Sequence, residues 1–162
     1  MLIRQAVDAD LDAILEIHNL AIRESLAIWT EEEVDRADRE RWLLGRDREG
    51  FPVLVAEIDG AVAGYASYGP WREKSGYRFT VEHSVYVASD FQRRGVARAL
   101  MVELIRVARA QGIHVMIGAI DAGNVASIAL HTQLGFEPPL LVPEVGIKFG
   151  EWLDLAFMRL QL

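Results

Sequence analysis

The residues best able to do chemistry by type and spacing fall in one run, Ser84-Val85-Tyr86-Val87-Ala88-Ser89-Asp90-Phe91-Gln92-Arg93-Arg94-Gly95-Val96-Ala97. Its first part is β-branched and aromatic, as a strand favours, and Gly95 opens a stretch of helical periodicity. A glycine at a strand-to-helix turn lets a ligand come close to the backbone. The free N–H groups of the helix start then favour an anion. Arg93, Arg94 and Arg98 add positive charge beside them. The chemistry this predicts is phosphate binding. A solvated basic helix start, with Gly95 used for packing alone, would look the same in isolation, so the run needs support elsewhere in the chain.

The rest of the composition bounds what that phosphate belongs to. With 17 basic against 24 acidic residues the formal net charge is -7, which argues against a broad nucleic-acid surface and makes the arginine cluster a local exception. There is no cysteine, so disulfides, thiolate metal sites and a cysteine nucleophile are excluded, and no metal is expected. A hydrophobic fraction of 51% over 162 residues is enough for one real core and points to a single domain. Met1–Gln5 lacks a signal-like pattern and no apolar run reaches membrane-spanning length. The expectation is a soluble, cytoplasmic protein that binds neither nucleic acid nor membrane.

The elements that must position the run follow from periodicity. Residues 2–7 predict a strand, and Asp8 a cap for a helix over 9–25 with Leu11, Ile14, Leu15, His18, Ala21 and Ile22 on one face. Residues 32–46 predict one or two exposed helices anchored by Val34, Trp42, Leu43 and Leu44. Asp59-Gly60 between two apolar runs predicts a hairpin of 53–58 with 61–68. After a connection at 69–76 suited to a substrate loop, 77–87 reads as a long strand. Residues 95–110 read as the clearest helix, ended by Gly112. A strand at 114–120, a short helix at 124–134, a turn at Gly135-Phe136 and strands at 144–149 and 152–160 complete an α/β chain.

Support for the phosphate site comes from a second segment, Asn124-Val125-Ala126-Ser127-Ile128-Ala129-Leu130-His131-Thr132-Gln133-Leu134-Gly135-Phe136. Together the two segments resemble the GNAT (GCN5-related N-acetyltransferase) family. The resemblance implies one domain over residues 1–162, of α/β (α+β) class. Its mixed, mostly antiparallel central sheet would be splayed at the acetyl-CoA site and flanked by helices. It implies that Gln92, Gly95 and Ala97 form the acetyl-CoA pyrophosphate motif, with backbone groups of Gln92, Arg93, Arg94, Gly95, Val96, Ala97 and Arg98 wrapping the phosphates. Ala97 stands where the family often has glycine. By the same resemblance Val85, Tyr86 and Val87 pair with the pantetheine arm, and Asn124 and Ser127 make later cofactor contacts. Two further stretches, Thr80 to Val87 and Val145 to Asp154, are similar to the phosphinothricin and methionine sulfoximine acetyltransferase group.

The mechanism expected is direct attack of a neutral amine on the acetyl-CoA thioester with no acetyl-enzyme, which the absence of cysteine supports. Glu82, near the expected strand opening, is the candidate base, directly or through water. A surface or ion-paired carboxylate is the alternative for it. His83 has the opposite strand parity and reads as a structural histidine. His131 stands where relatives carry a thiol-protonating tyrosine; proton donation, CoA orientation and helix packing are all open to it. For the substrate, Arg72 and Arg78 would clamp a carboxylate or phosphinate bidentately. Ser75, Gly76 and Tyr77, joined by Trp29, Thr30 and Glu31, would shape the rest of the pocket. Lys148, Trp152 and Asp154 suggest a lysine–carboxylate pair and a buried tryptophan organising the terminal strands or a dimer-spanning pocket. The expected partners are a small amino-acid-like substrate and a second copy of the chain. A cofactor-binding sensor without turnover, and an acetyltransferase for a polyamine or a protein N-terminus, are the competing functions.

Overall fold

The hairpin predicted at Asp59-Gly60 anchors the architecture of the computed structural model, which describes all residues 1–162. Strands β2 (Val53–Ile58) and β3 (Ala61–Pro70) pair antiparallel across it. Both turn residues have positive φ, 52° and 81°, the twist-matched turn that Asp-Gly favours. β1 (Leu2–Gln5) lies against β2, and β4 (Thr80–Val87) against β3. β5 (Val115–Asp121), β6 (Leu140–Lys148) and β7 (Glu151–Gln161) complete a seven-stranded sheet of order β1-β2-β3-β4-β5-β7-β6.

All neighbours are antiparallel except β4 and β5. A parallel pair needs a crossover, supplied by α3 (Val96–Ala110). That pair is short: Thr80, Val81 and Glu82 meet Val115, Met116 and Ile117, and the ladder stops there. Beyond Glu82 the two strands diverge, β4 staying with β3 to Val87 and β5 with β7 to Asp121. The splay implied by the family resemblance is therefore present.

Two helical layers flank the sheet. On one face Leu100, Met101, Leu104, Ile105 and Ala108 of α3 meet Leu54, Ala66, Tyr68, Val81, Met116 and Met158, and α4 (Val125–Gln133) adds Ile128. On the other face Ile14 and Ile17 of α1 (Leu11–Glu24) pack on Val53, Val55 and Tyr65, with Trp42 and Leu43 of α2 (Arg36–Glu49) alongside. Along β4, Val81, His83 and Val85 point to the α3 side, whereas Tyr86 packs on the α1 side, so strand alternation places Glu82 with Tyr86.

Several boundaries differ from the sequence expectation for identifiable reasons. Asp8 does not cap α1. It opens a 3-10 turn, Asp8–Asp10, while the Asp10 carboxylate takes the Val7 N–H at 2.8 Å and the Arg4 guanidinium at 2.7 and 2.9 Å. The segment at 32–46 becomes a single helix, displaced to Arg36–Glu49, because Asp35 accepts the Asp38 N–H at 2.8 Å and Gly50 ends the helix at φ 75°. The strand expected from residue 77 begins only at Thr80, after a 3-10 turn at Ser75–Tyr77. β6 begins at Leu140 rather than 144, because a bulge between Val142 and Gly146 carries the chain past Pro143. There Glu144 sits at φ 52°, its N–H held by Asp154 at 2.8 Å.

Candidate functional site

The loop from Gln92 to Gly95 is built as an anion cradle. Arg93 and Gly95 lie in the left-handed region, at φ 57° and 79°, a conformation L side chains adopt at a cost and that recurs at binding loops. Gly95 caps α3 without offering a side-chain acceptor. The six consecutive N–H groups from Arg93 to Arg98 find no acceptor within the protein. Unmet donors at a helix start, added to the helix field, are what an anion at that point would satisfy.

All of these residues but Arg94 line a cleft of about 580 Å³ beside the part of β4 that has left β5. One wall is Val85, Tyr86 and Val87 of β4, another Gln92, Arg93, Gly95, Val96, Ala97 and Arg98. Asn124 and Ser127 of the α4 start close the third side. The structure thus brings together every expected cofactor residue but one. Arg94 does not line the cleft; its guanidinium stacks over Phe91, 5.1 Å from the ring centre. Asn124 spends its side-chain oxygen capping α4 through the Ser127 N–H at 3.0 Å.

Sequence reasoning missed the fourth wall, formed by Leu20, Ala21, Glu24, Ser25 and Ala27 at the end of α1 and just beyond it. The signal for it was faint: Leu20 and Ala21 extend the apolar face of α1 past what the sheet buries. A second cleft of like volume, lined by Gln5, Asp8, Arg36 and Leu44 among others, holds none of the expected site residues.

Glu82 stands at the apex of the splay, as the last β4 residue in register with β5. It is half-buried, and that burial raises its carboxyl pKa above the ordinary value, with Arg72 pulling the other way. A carboxylate so placed takes a proton more readily than one on the surface. Arg72, on the loop after β3, also lies over Trp71 at 4.8 Å, and Trp71 meets Tyr77 edge to face at 5.2 Å. Ser75, Gly76 and Tyr77 form the 3-10 turn of that loop, and Arg78 folds back to donate to the Ser75 carbonyl at 3.1 Å while stacking on Phe79.

The remaining expected substrate residues, Trp29, Thr30 and Glu31, make contacts of their own beyond α1. The Trp29 ring packs on Gly146 of β6, where a Cβ would come within 2.2 Å of it, and its Nε1 donates to the Leu26 carbonyl at 2.9 Å. The Thr30 hydroxyl accepts the Glu32 N–H at 3.2 Å, and Glu31 accepts the Phe149 N–H at 2.9 Å. Lys148 forms no pair with a carboxylate, contrary to expectation. Its ammonium is buried against the carbonyls of Ile22, Ser25 and Ile28 at 2.7, 2.6 and 2.6 Å. Trp152 is not buried either; 64% of it is exposed.

His131 is buried, and both its ring nitrogens are taken up: Nδ1 lies 2.7 Å from the Ser127 carbonyl and Nε2 lies 3.0 Å from Nε2 of His83. Burial lowers the pKa of both imidazoles, that of His83 to about 3, with His131 further disfavouring charge on His83 and the Ser127 carbonyl opposing the fall at His131. No group of three or more metal-ligating side chains occurs, and no helix is long and apolar enough to cross a membrane.

Comparison with known proteins finds close relatives in sequence and in structure. The model of the acetyltransferase (GNAT) family matches residues 14–136. A Pseudomonas aeruginosa protein named L-methionine sulfoximine/L-methionine sulfone acetyltransferase is 54% identical over 161 residues, covering 99% of this chain and 94% of that one. A crystal structure of a ribosomal-protein-alanine N-acetyltransferase from Brucella melitensis superposes with a TM-score of 0.99 at 54% identity, all of both chains being covered. A Sinorhizobium meliloti phosphinothricin acetyltransferase solved with acetyl-CoA gives a TM-score of 0.96 at 37% identity, over 99% of this chain and 88% of that one.

Proposed function

The chain belongs to the acetyltransferase (GNAT) family, and on that premise we propose that it transfers the acetyl group of acetyl-CoA to the α-amino group of a methionine sulfoximine-like, methionine sulfone-like or phosphinothricin-like amino acid. The observation that carries the reading is the run of unmet N–H groups from Arg93 to Arg98, all but Arg94 on residues lining a cleft beside β4 beyond the point where it leaves β5. Those groups, with the Arg93 and Arg98 side chains, fit a pyrophosphate. The β4 edge beyond Glu82 has no strand partner on the β5 side and fits the amide-bearing arm. Acetyl-CoA supplies an activated acyl group as a thioester.

The protein's part is to hold the amine and to neutralise it. An α-amino group is largely protonated near neutral pH, and Glu82 is positioned to take its proton. Arg72, close enough to Glu82 to lower its pKa, would meet the acidic group of the substrate. The fold does not require a covalent intermediate, and the chain has no cysteine to form one. A detoxifying role in the cytoplasm, where acetyl-CoA is at hand, suits such a substrate.

The test is acetyl-CoA-dependent product formation, followed by mass spectrometry, with methionine sulfoximine, methionine sulfone, phosphinothricin, ordinary amino acids, a polyamine and a peptide beginning with alanine. Turnover concentrated on the first three is expected, and Arg72→Ala should raise the KM for them about tenfold or more, the loss of a charge-assisted bond, with the KM for acetyl-CoA little changed. The similarity to the Brucella melitensis protein keeps a second reading in view: turnover mainly on the alanine peptide would assign the pocket to protein N-termini. Acetyl-CoA binding without amine-dependent CoA release would instead make the protein a sensor.

We also propose that the protein is a homodimer. β6 is the last strand of the sheet, and its Ile147 pairs directly with Trp152 of β7. The two are 54% and 64% exposed. An apolar face beside an unpaired edge is a surface that proteins ordinarily cover. Sedimentation should give a dimer, and Trp152→Asp with Ile147→Asp a monomer; a monomeric parent protein would refute it.

A further inference from the structure

With both rings uncharged, the 2.7 Å approach of His131 Nδ1 to the Ser127 carbonyl, closer than the 3.4 Å to the Ser127 hydroxyl, selects one arrangement of protons for the His83–His131 contact. The Ser127 carbonyl can only accept, so His131 must carry its proton on Nδ1, 2.7 Å away. A neutral His131 then offers a bare Nε2, and the 3.0 Å approach of the two Nε2 atoms requires His83 to be the donor. His83 is left with an unprotonated Nδ1, and that atom is buried without a partner. Each step is fixed by the one before it, starting from a backbone oxygen of α4.

This bond is the one side-chain hydrogen bond between β4 and α4. It lies just past the point where the β4–β5 ladder ends. Two residues beyond His83, β4 becomes a wall of the cofactor cleft, and one turn before His131, α4 forms another at Ser127. The rings are stacked at 17° with centres 4.9 Å apart, and Phe136 closes edge-on against both. Gly118 of β5 makes room beneath them: a Cβ there would sit 3.0 Å from His83 Nε2 and 3.5 Å from the His131 ring.

We propose that His83 and His131 form an uncharged clasp across the splay, with His83 a positioning residue that fixes His131 and thereby the spacing of β4 and α4 for the arm of acetyl-CoA. It rests on the assignment of the cleft to that cosubstrate. A consequence is that His131 has no proton to give the departing sulfur: its Nδ1 proton is committed to its own helix, and its Nε2 is an acceptor. The thiolate is therefore protonated by another group or by water.

The tautomers are testable directly. In nitrogen-15 NMR of the wild-type protein at pH 7.5, His131 should be protonated at Nδ1 and His83 at Nε2; a proton on Nε2 of His131 would overturn the proposal. Calorimetry with CoA supplies a second readout independent of turnover. His83→Leu should weaken CoA binding about tenfold, while kcat at saturating acetyl-CoA falls less than threefold. His83→Gln, which keeps an N–H donor at similar reach, should restore binding to within about threefold of wild type, the loss of a buried donor being worth roughly that difference. Equal CoA affinity in a folded Leu variant, or an unrescued loss in the Gln variant, would sink the clasp. Failure of the wild-type protein to bind CoA in the same titration would instead refute the cleft assignment.

Discussion

Glu82→Gln should lower kcat/KM for the preferred amino acid by about a hundredfold or more, the range expected for removal of a general base, with acetyl-CoA binding unchanged. Glutamine keeps the size and a hydrogen-bonding oxygen but cannot take a proton. The pH profile separates this from a packing effect. Burial raises the Glu82 pKa, so in the parent protein activity should climb with pH through an apparent pKa above the ordinary carboxylate value, as the protonated acid becomes the base. That limb should vanish in Glu82→Gln.

The limb set by the substrate amine lies at higher pH and should survive. Arg72 gives the sign a second check, since its charge lowers the Glu82 pKa: in Arg72→Ala the acidic limb should move to higher pH. A Glu82→Gln protein with the parent rate and profile would remove Glu82 from the chemistry and leave its half-buried place at the splay as a matter of folding.

How much of this was legible in the sequence follows the range of the interaction concerned. Asp59-Gly60 fixes its hairpin because a two-residue turn is decided by those two residues. Gly95 marked the cradle because positive φ at a strand-to-helix turn is a local demand. The missed features join distant parts of the chain. His83 and His131 are 48 positions apart and meet only because β4 leaves β5 at Glu82, a break that no periodicity encodes. His83 was rightly placed on the face opposite Glu82 from strand parity, but its partner lay beyond reach of that argument.

The strand expected from 144 begins earlier, and the bulge that carries β6 past Pro143 depends on Asp154, ten residues beyond Glu144, holding the Glu144 N–H. Arg94 groups with its neighbours by charge and by its place in the phosphate motif. Its stacking on Phe91 is set by which way a left-handed turn at Arg93 directs the next side chain.

Lys148 is the largest of these long-range effects, and Lys148→Met should destabilise the protein by about 3 kcal/mol or more, since it leaves three carbonyls without their donor at about 1–3 kcal/mol each. The ammonium reaches from β6 to the carbonyls of Ile22, Ser25 and Ile28, over 120 to 126 positions of sequence. Two of these belong to the last turn of α1 and the residue that caps it, where helix carbonyls have no partner of their own. Burial draws the lysine pKa down while Glu31 opposes it. Three converging carbonyls nonetheless need an ammonium with all three protons, since a neutral amine would turn a lone pair on one of them.

Methionine fills the same space and donates nothing, so the carbonyls would lose their partner without gaining water. By contrast, an exposed pair such as Arg106 with Glu103 at 2.7 Å adds little to stability, because water competes for both ends. The Lys148 effect should also reach the cofactor. Ser25, whose own carbonyl is tethered, and Ala27, next to the tethered Ile28, line the cleft, and the folded fraction of Lys148→Met should bind CoA more weakly than the parent. Urea denaturation reads the first effect and calorimetry below the transition the second. A midpoint within about 1 kcal/mol of the parent would mean that the α1 end is held by its side-chain packing and that its carbonyls find water when the lysine is gone.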